Sequence, residues 1–453
     1  MSVAVQAALS GTCARGEPKT MPAPQWALLA RRRFLPLFAT QFLGAFNDNL
    51  YRSAMLFLAA FTLYRGAPDR AAFTAIIAGG VFILPYFLFS SIAGQLADRI
   101  DKARLARLVK LAEVGIMGVG AMALDMGSMS LLMTVLFAMG LHSTLFGPIK
   151  YSMLPQHLRE TELIGGTGLV EAGTFLAILL GQIAGGLLTT NAAAGAMLGV
   201  AVLGLISSLF IPPALPEPDR PAVEVNLIRS TMAIVRHARR NRSLYFAILG
   251  ITWFFSLGAV LTQQFAPLVG RLNGTPQVGA LFLGLFSVGV AIGALSVGRL
   301  LRGAISARYV PVAALALALG VVDLGITVHG LVPAPAALGV REFLEREGSW
   351  HLVADLTVIA VAGGMFIVPL YALLQTLGDP ANRSRDVAAN NIVNAAGMVL
   401  VSGFAALLLW AGAGSLTLFG ALGALGLVVA LLMCGLPPET AFRTLVRSAL
   451  RLA

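Results

Sequence analysis

The chain is poor in charge, cysteine and histidine, and each shortage excludes something. Only 12% of the 453 residues are charged, against about a quarter in soluble domains, which sets the chain outside the soluble range. Two cysteines, Cys13 and Cys434, make neither a disulfide framework nor a thiolate metal site. The five histidines form no His-x4-Asp acyltransferase dyad: five positions after His142, His157, His237, His329 and His351 stand Gly147, Glu162, Arg242, Ala334 and Leu356. His351 and Asp355 are one residue too close. A phosphate-binding glycine loop and a metal-ligand cluster are also missing. The expectation is a non-enzyme with no cofactor and no metal.

What fills the chain is apolar: 57% of the residues are hydrophobic. They recur in runs of about 20, bounded by charges or Pro/Gly clusters, the pattern of α-helical membrane spans rather than of a β-barrel. Twelve spans are expected: 34–63, 71–97, 105–124, 130–146, 162–189, 193–211, 243–268, 278–301, 309–328, 352–374, 387–411 and 416–436. Basic residues sit in short loops on one side: Arg31 to Arg33, Arg99, Lys102, Arg104, Arg107, Lys110, Lys150, Arg159, Arg229, Arg236, Arg239, Arg240 and Arg242 among them. The other side shows only Arg65, Arg70, Arg271, Arg341 and Arg346. This bias places both termini in the cytoplasm. It also accounts for the formal net charge of +11 without a nucleic-acid partner.

The longest polar interval, 212–242, divides the spans into equal sets and carries a basic amphipathic segment, Val225 to Arg240, expected on the membrane surface. The predicted organisation is a disordered cytoplasmic tail (1–33), a six-helix bundle (34–211), the linker (212–242), a second six-helix bundle (243–436) and an amphipathic cytoplasmic tail (437–453). Another amphipathic segment, Gly339 to Trp350, precedes the tenth span. Pro148 with Glu171 in the first half, and Pro369 with Asn391 and Asn394 in the second, recur at similar intervals and suggest a repeat. Two such halves are the layout of major facilitator transporters, with the substrate site between them.

Asp48 is the residue that most needs explaining. At about 1.5 Å per residue it lies roughly 21 Å from Phe34 and roughly 24 Å from Tyr64, near the centre of its span. A carboxylate at that depth must face a wet cavity, a partner or a substrate. Asn47 and Asn49 flank it, and Arg52, one turn on, is either a second substrate contact or its intrahelical ion-pair partner. Glu171 is a second buried acid, able to bind an ammonium group or pair with a basic residue elsewhere. Asn391, Asn394, Gln263 and Gln264 offer amides that could line a site or join helices. Lys150 is expected to snorkel at the end of the fourth span, or to contact phosphate. His142 is expected as a satisfied interhelical partner, and Gly181, Gly185, Gly186, Gly289 and Gly293 as packing positions.

Gly94-Gln-Leu-Ala-Asp98-Arg99-Ile-Asp101-Lys102-Ala-Arg104 resembles the loop signature of the major facilitator superfamily, with Asp101 where glycine is common. The matching loop, Gly293 to Arg302, keeps the glycine and bases but has no acid. The resemblance implies a latch of Gly94, Asp98, Arg99, Lys102 and Arg104, with Glu113 attached to it. Gln41-Phe-Leu-Gly44-Ala-Phe-Asn47-Asp48-Asn49, Gly147-Pro148-Ile-Lys150-Tyr151-Ser-Met-Leu154 and Gly168-Leu-Val-Glu171-Ala-Gly173 resemble the lysophospholipid transporter (LplT-like) branch of that superfamily.

This implies an all-α, twelve-span flippase of the bacterial inner membrane. It would carry lysophospholipids such as lysophosphatidylethanolamine by alternating access, for reacylation on the cytoplasmic side. The expected partners are lysophospholipid, membrane lipids and a separate acyltransferase or acyl-acyl carrier protein synthetase; a monomer is expected. The rival is a proton-coupled multidrug antiporter. Its fifth-span motif has proline where this chain has Gln182, in Gly181-Gln182-Ile-Ala-Gly185-Gly186.

Overall fold

The computed structural model describes residues 24–216 and 223–436. They form fourteen α-helices and no named β-strand among the described residues. The first half comprises α1 (Leu35–Leu58), α2 (Pro68–Arg99), α3 (Lys102–Met126), α4 (Met129–His157), α5 (Glu160–Leu187) and α6 (Thr190–Leu209). The linker helix α7 (Leu227–Arg240) follows. The second half comprises α8 (Arg242–Arg271), α9 (Pro276–Leu300), α10 (Val310–Gly330), the short α11 (Val340–Glu345), α12 (Ser349–Thr376), α13 (Arg383–Trp410) and α14 (Ser415–Met433).

Ten of these helices are long and apolar enough to cross a membrane. To them we add α1 and α3, 24 and 25 residues long, whose apolar runs are interrupted by Asp48 and Arg52 and by Lys110 and Glu113. That makes twelve spans in two six-helix halves. Inside each half small residues permit close approach: a Cβ on Gly181 or Gly185 would run into the α1 backbone at Phe46 or Leu50.

Local chemistry explains the ends. Asp101 caps α3, accepting from Ala103 N at 2.9 Å and from Ala214 N at 3.0 Å. Glu162 accepts from Arg159 N at 2.9 Å at the start of α5.

Two expectations change. The fourth span does not end at Phe146. α4 continues through Pro148 and Pro155 to His157, since proline removes one backbone donor and is tolerated in a membrane helix packed among others. Residues 24–33, expected within a disordered tail, are ordered. Gln25–Ala30 form a 3-10 helix, Gln25 Nε2 donates to Leu295 O at 3.0 Å, and Arg33 reaches Glu162 Oε1 at 2.6 Å. Side chains of this segment find partners on both halves, and that holds it. The rest of that tail, 1–23, and the C-terminal tail, 437–453, lie outside the described residues.

The halves meet along α2 with α13, α5 with α9, and α4 with α13. The polar contacts between them fall at the end where α2 gives way to α3, which we call the latch end. Asp98 accepts from Ser384 N at 3.1 Å and lies 3.8 Å from Arg385 Nε. Ser384 Oγ meets Ser152 Oγ at 3.0 Å, and Gln375 Nε2 donates to Thr167 Oγ1 at 3.3 Å. Among the described residues no side-chain hydrogen bond or ion pair joins the halves at the far end.

Gly94 is central to this closure, because a Cβ there would stand 2.6 Å from Ala388 Cβ and 2.8 Å from Ser384 O. The substitution Gly94→Val is therefore expected to hold the latch end apart. A cysteine at Ser152, 1% exposed here, should then react severalfold faster with maleimide; an unchanged rate would show that this contact does not close the end.

Candidate substrate-binding site

α1, α3 and α4 bring one group of polar side chains together inside the first half. Lys110, fully buried, donates to Glu113 Oε2 at 2.5 Å. Glu113 also accepts from Asn47 Nδ2 at 3.0 Å and lies 3.2 Å from His142 Nε2. Lys110 has room because α1 has glycine at position 44, where a Cβ would stand 2.6 Å from Nζ; its ammonium lies 5.3 Å from the Phe146 ring centre. One orientation residue and one latch residue thus change role. Lys110 is an interior cation rather than a loop base. Glu113 belongs to the interior group and not to the latch, because the ammonium one turn before it compensates its charge and Asn47 and His142 lie against its other sides.

Asp48 is half-buried beside this group and accepts from Ser143 Oγ of α4 at 2.5 Å. The neighbouring titratable side chains are His142, Glu113 and Lys110. Arg52 forms no ion pair with it. The guanidinium points at α2, 3.7 Å from where a Gly79 Cβ would lie. Arg52→Gln should therefore change stability by less than about 1 kcal/mol, whereas breaking a buried ion pair costs about 3–5 kcal/mol. Thermal unfolding in detergent decides between the two. Asn49 is turned away from the group, donating to Ala45 O at 2.8 Å and accepting from Gln182 at 3.3 Å.

A second group lies between the halves. Tyr151 donates its hydroxyl to Glu171 Oε1 at 2.5 Å, and its ring stacks on Tyr371 of α12 with centres 4.2 Å apart. Lys150 Nζ sits 4.4 Å from the Tyr151 ring centre, and the charge that bears on Glu171 is that of Lys150. Because α4 runs on past Pro148, Lys150 is half-buried inside the bundle and does not snorkel at a helix end. Ser143, Gly147 and Lys150 lie on one line of α4, since seven residues return within about 20° of the starting direction after roughly 10 Å. Asn391 of α13 faces that line, its Nδ2 3.0 Å from where a Gly147 Cβ would be. Asn391 Nδ2 is buried without a hydrogen-bond partner, an uncommon cost that marks a polar group available to something else, and the Asn390 side chain lies at the Tyr371 hydroxyl.

The remaining predicted residues separate. Asn394 accepts from Thr252 Oγ1 at 2.6 Å within the second half and joins helices. Gln263 is exposed and Gln264 half-buried, on the part of α8 nearer the far end, so they are not brought to Glu171. At the latch, Gly94, Asp98 and Lys102 are buried while Arg99 and Arg104 are exposed. His351 lies 3.1 Å from Asp323 and 3.6 Å from Asp355 near the far end, an ion-pair cluster away from the groups between the halves. Sequence reasoning missed Lys110, Ser143, Tyr151, Tyr371 and Asn390. The spacing of Lys110 and Glu113, opposite charges one turn apart in an apolar run, was a usable signal.

The Major Facilitator Superfamily profile matches residues 37–344, from the first turn of α1 to α11. The chain belongs to that superfamily. Its curated relatives include the lysophospholipid transporter LplT of Citrobacter koseri, 29% identical over 82% of this chain and 87% of the relative. The LplT of Shigella sonnei is 28% identical over the same shares. Among solved structures, the human organic anion transporter MFSD10 (TETRAN) superposes with a TM-score of 0.70 at 16% identity, covering 88% of this chain and 99% of that one. This likeness shows a shared fold. In a Major Facilitator Superfamily protein the region where the halves meet near mid-depth is the ligand region. In this chain Lys150, Tyr151 and Glu171 lie with Tyr371 and Asn391 where the halves meet, and Asp48 with Ser143 lies in the first half, about two turns along α4 from Lys150.

Proposed function

We propose that this multi-pass membrane protein is a lysophospholipid transporter. It carries lysophospholipids such as lysophosphatidylethanolamine across the bacterial inner membrane by alternating access, for reacylation on the cytoplasmic side. The observation that carries the reading is one line of α4, with Asp48 held at Ser143 and Lys150 two turns away. A carboxylate and an ammonium so spaced complement the ammonium and phosphate of a zwitterionic headgroup. The relatives named for lysophospholipid transport support the same substrate class.

In this proposal Asp48 receives the headgroup ammonium and Lys150 the phosphate. Asn390 and Asn391 contribute donors from the other half, and Glu171, held by Tyr151, keeps Lys150 in place. Rocking of the halves then exposes the site alternately, with Gly94, Asp98, Ser384 and Arg385 closing the latch end. The latch end and both termini face the cytoplasm, the chain works as a monomer, and a separate acyltransferase takes the product. The antiporter reading is disfavoured by Gln182 in place of proline and by the names of the relatives.

Uptake of labelled lysophosphatidylethanolamine into spheroplasts tests the function. Accumulation that depends on the chain and survives an uncoupler is expected. Uncoupler-sensitive extrusion of a cationic drug, with no lysolipid movement, would overturn it.

A further inference from the structure

Outside the central site, the linker carries a second concentration of charge. α7 has three faces. Ser230, Ile234 and Ala238 are buried against the bundle. Ile228 and Met232, on another side, are 72% and 55% exposed, and about 100° per residue brings them within roughly 40° of one another; Val225, 75% exposed, stands just before the helix. Arg229, Arg236 and Arg240 form the third face, within about 40°. That cationic face opens on a cavity of about 490 Å³ whose opposite wall is Gln95 of α2 and Arg385 of α13.

Among the described residues no carboxylate pairs with Arg229, Arg236 or Arg240. The one acid lining the cavity, Glu224, accepts from the backbone of Asn226 at 3.0 Å. Uncompensated guanidinium groups converging on a cavity call for an anion with several oxygen acceptors. The exposed apolar stripe beside them says where the anion comes from, since a helix with a bare apolar face next to a basic one lies in the headgroup region of a bilayer.

We propose that this cavity binds the phosphate-bearing headgroup of an anionic phospholipid from the leaflet at the latch end. Its acyl chains run over Val225, Ile228 and Met232. Arg229, Arg236 and Arg240 hold the phosphate from α7, and Arg385 faces it from α13. The headgroup then sits one side chain from Asp98, which Arg385 also approaches. The site is separate from the one proposed for transported lysolipid, on another element and at the end of the bundle.

Native mass spectrometry of the full chain, released from nanodiscs of phosphatidylcholine containing phosphatidylglycerol, tests this. The comparison is with the triple variant Arg229→Gln, Arg236→Gln, Arg240→Gln and with a control, Arg99→Gln with Arg104→Gln, which removes exposed charge at the same end. The native chain and the control should retain phosphatidylglycerol. The triple variant should retain at least about tenfold less, in keeping with the loss of about 1.4 kcal/mol or more of charge-assisted bonding. Retention should survive millimolar inorganic phosphate. Equal retention by the triple variant, or equal loss in the control, overturns the site; displacement by inorganic phosphate alone overturns the lipid as its occupant. Lysophosphatidylethanolamine uptake measured on the same variants separates this result from the transport reading, which does not depend on it.

Discussion

Lys110→Met lowers the stability of the folded chain by about 3–5 kcal/mol, the cost of stranding a buried charge. Methionine fills much the same space, so the loss is electrostatic: Glu113, 2% exposed, keeps Asn47 and His142 but loses the ammonium that donates to it at 2.5 Å. Glu113→Gln alone should be costly for the mirror reason. The double variant Lys110→Met, Glu113→Gln should recover most of the loss, because two neutral side chains leave no uncompensated charge in a region lipid and water barely reach. Thermal unfolding of all four proteins in one detergent gives the coupling. Additive losses would mean that the two groups do not form a unit, and that the interior network is not what holds α1, α3 and α4 together.

Asp48→Asn reduces uptake of lysophosphatidylethanolamine by about 10- to 150-fold, from an ionic hydrogen bond worth roughly 1.5–3 kcal/mol. It should leave uptake of lysophosphatidylglycerol, which has no ammonium, within about threefold of the native rate. Lys150→Met should reduce both, because both lipids carry the phosphate. This split is something a merely structural role for Asp48 would not produce, since a misfolded site loses both substrates together. If Asp48→Asn carries both lipids normally, the ammonium lies elsewhere and Glu171 becomes the better candidate. If both lipids are lost in Asp48→Asn, the carboxylate supports the α1 and α4 packing through Ser143 rather than reading the headgroup.

Much of the architecture was legible without coordinates. Span ends fell close to the observed helix ends, apart from the fourth, because apolar runs bounded by charge are a local property of the chain. The fourth span failed for a specific reason. Proline in a membrane helix reads as a stop, but each proline removes only one backbone donor, and packing within the bundle carries the helix on to His157. That single extension moved Lys150 from a helix end into the bundle. Lys110 was misplaced by the same habit of assigning every base near a loop to the loop. Its burial depends on Gly44 of α1, a residue 66 positions away whose missing side chain makes the space.

What the sequence by itself determined was the membrane class, the two sets of spans, the charge bias between loops, and the fact that Asp48 and Glu171 need an explanation. Each of these follows from the cost of placing a given side chain in hydrocarbon, which is paid residue by residue. Only the tertiary structure decided which buried groups meet. Asp48 is held by Ser143, 95 residues on, and not by Arg52, one turn away; Glu113 turns to Lys110, Asn47 and His142 and leaves the latch to Asp98 and Ser384. Those pairings depend on how each helix is rotated about its axis and where it crosses its neighbours. Packing between helices sets both.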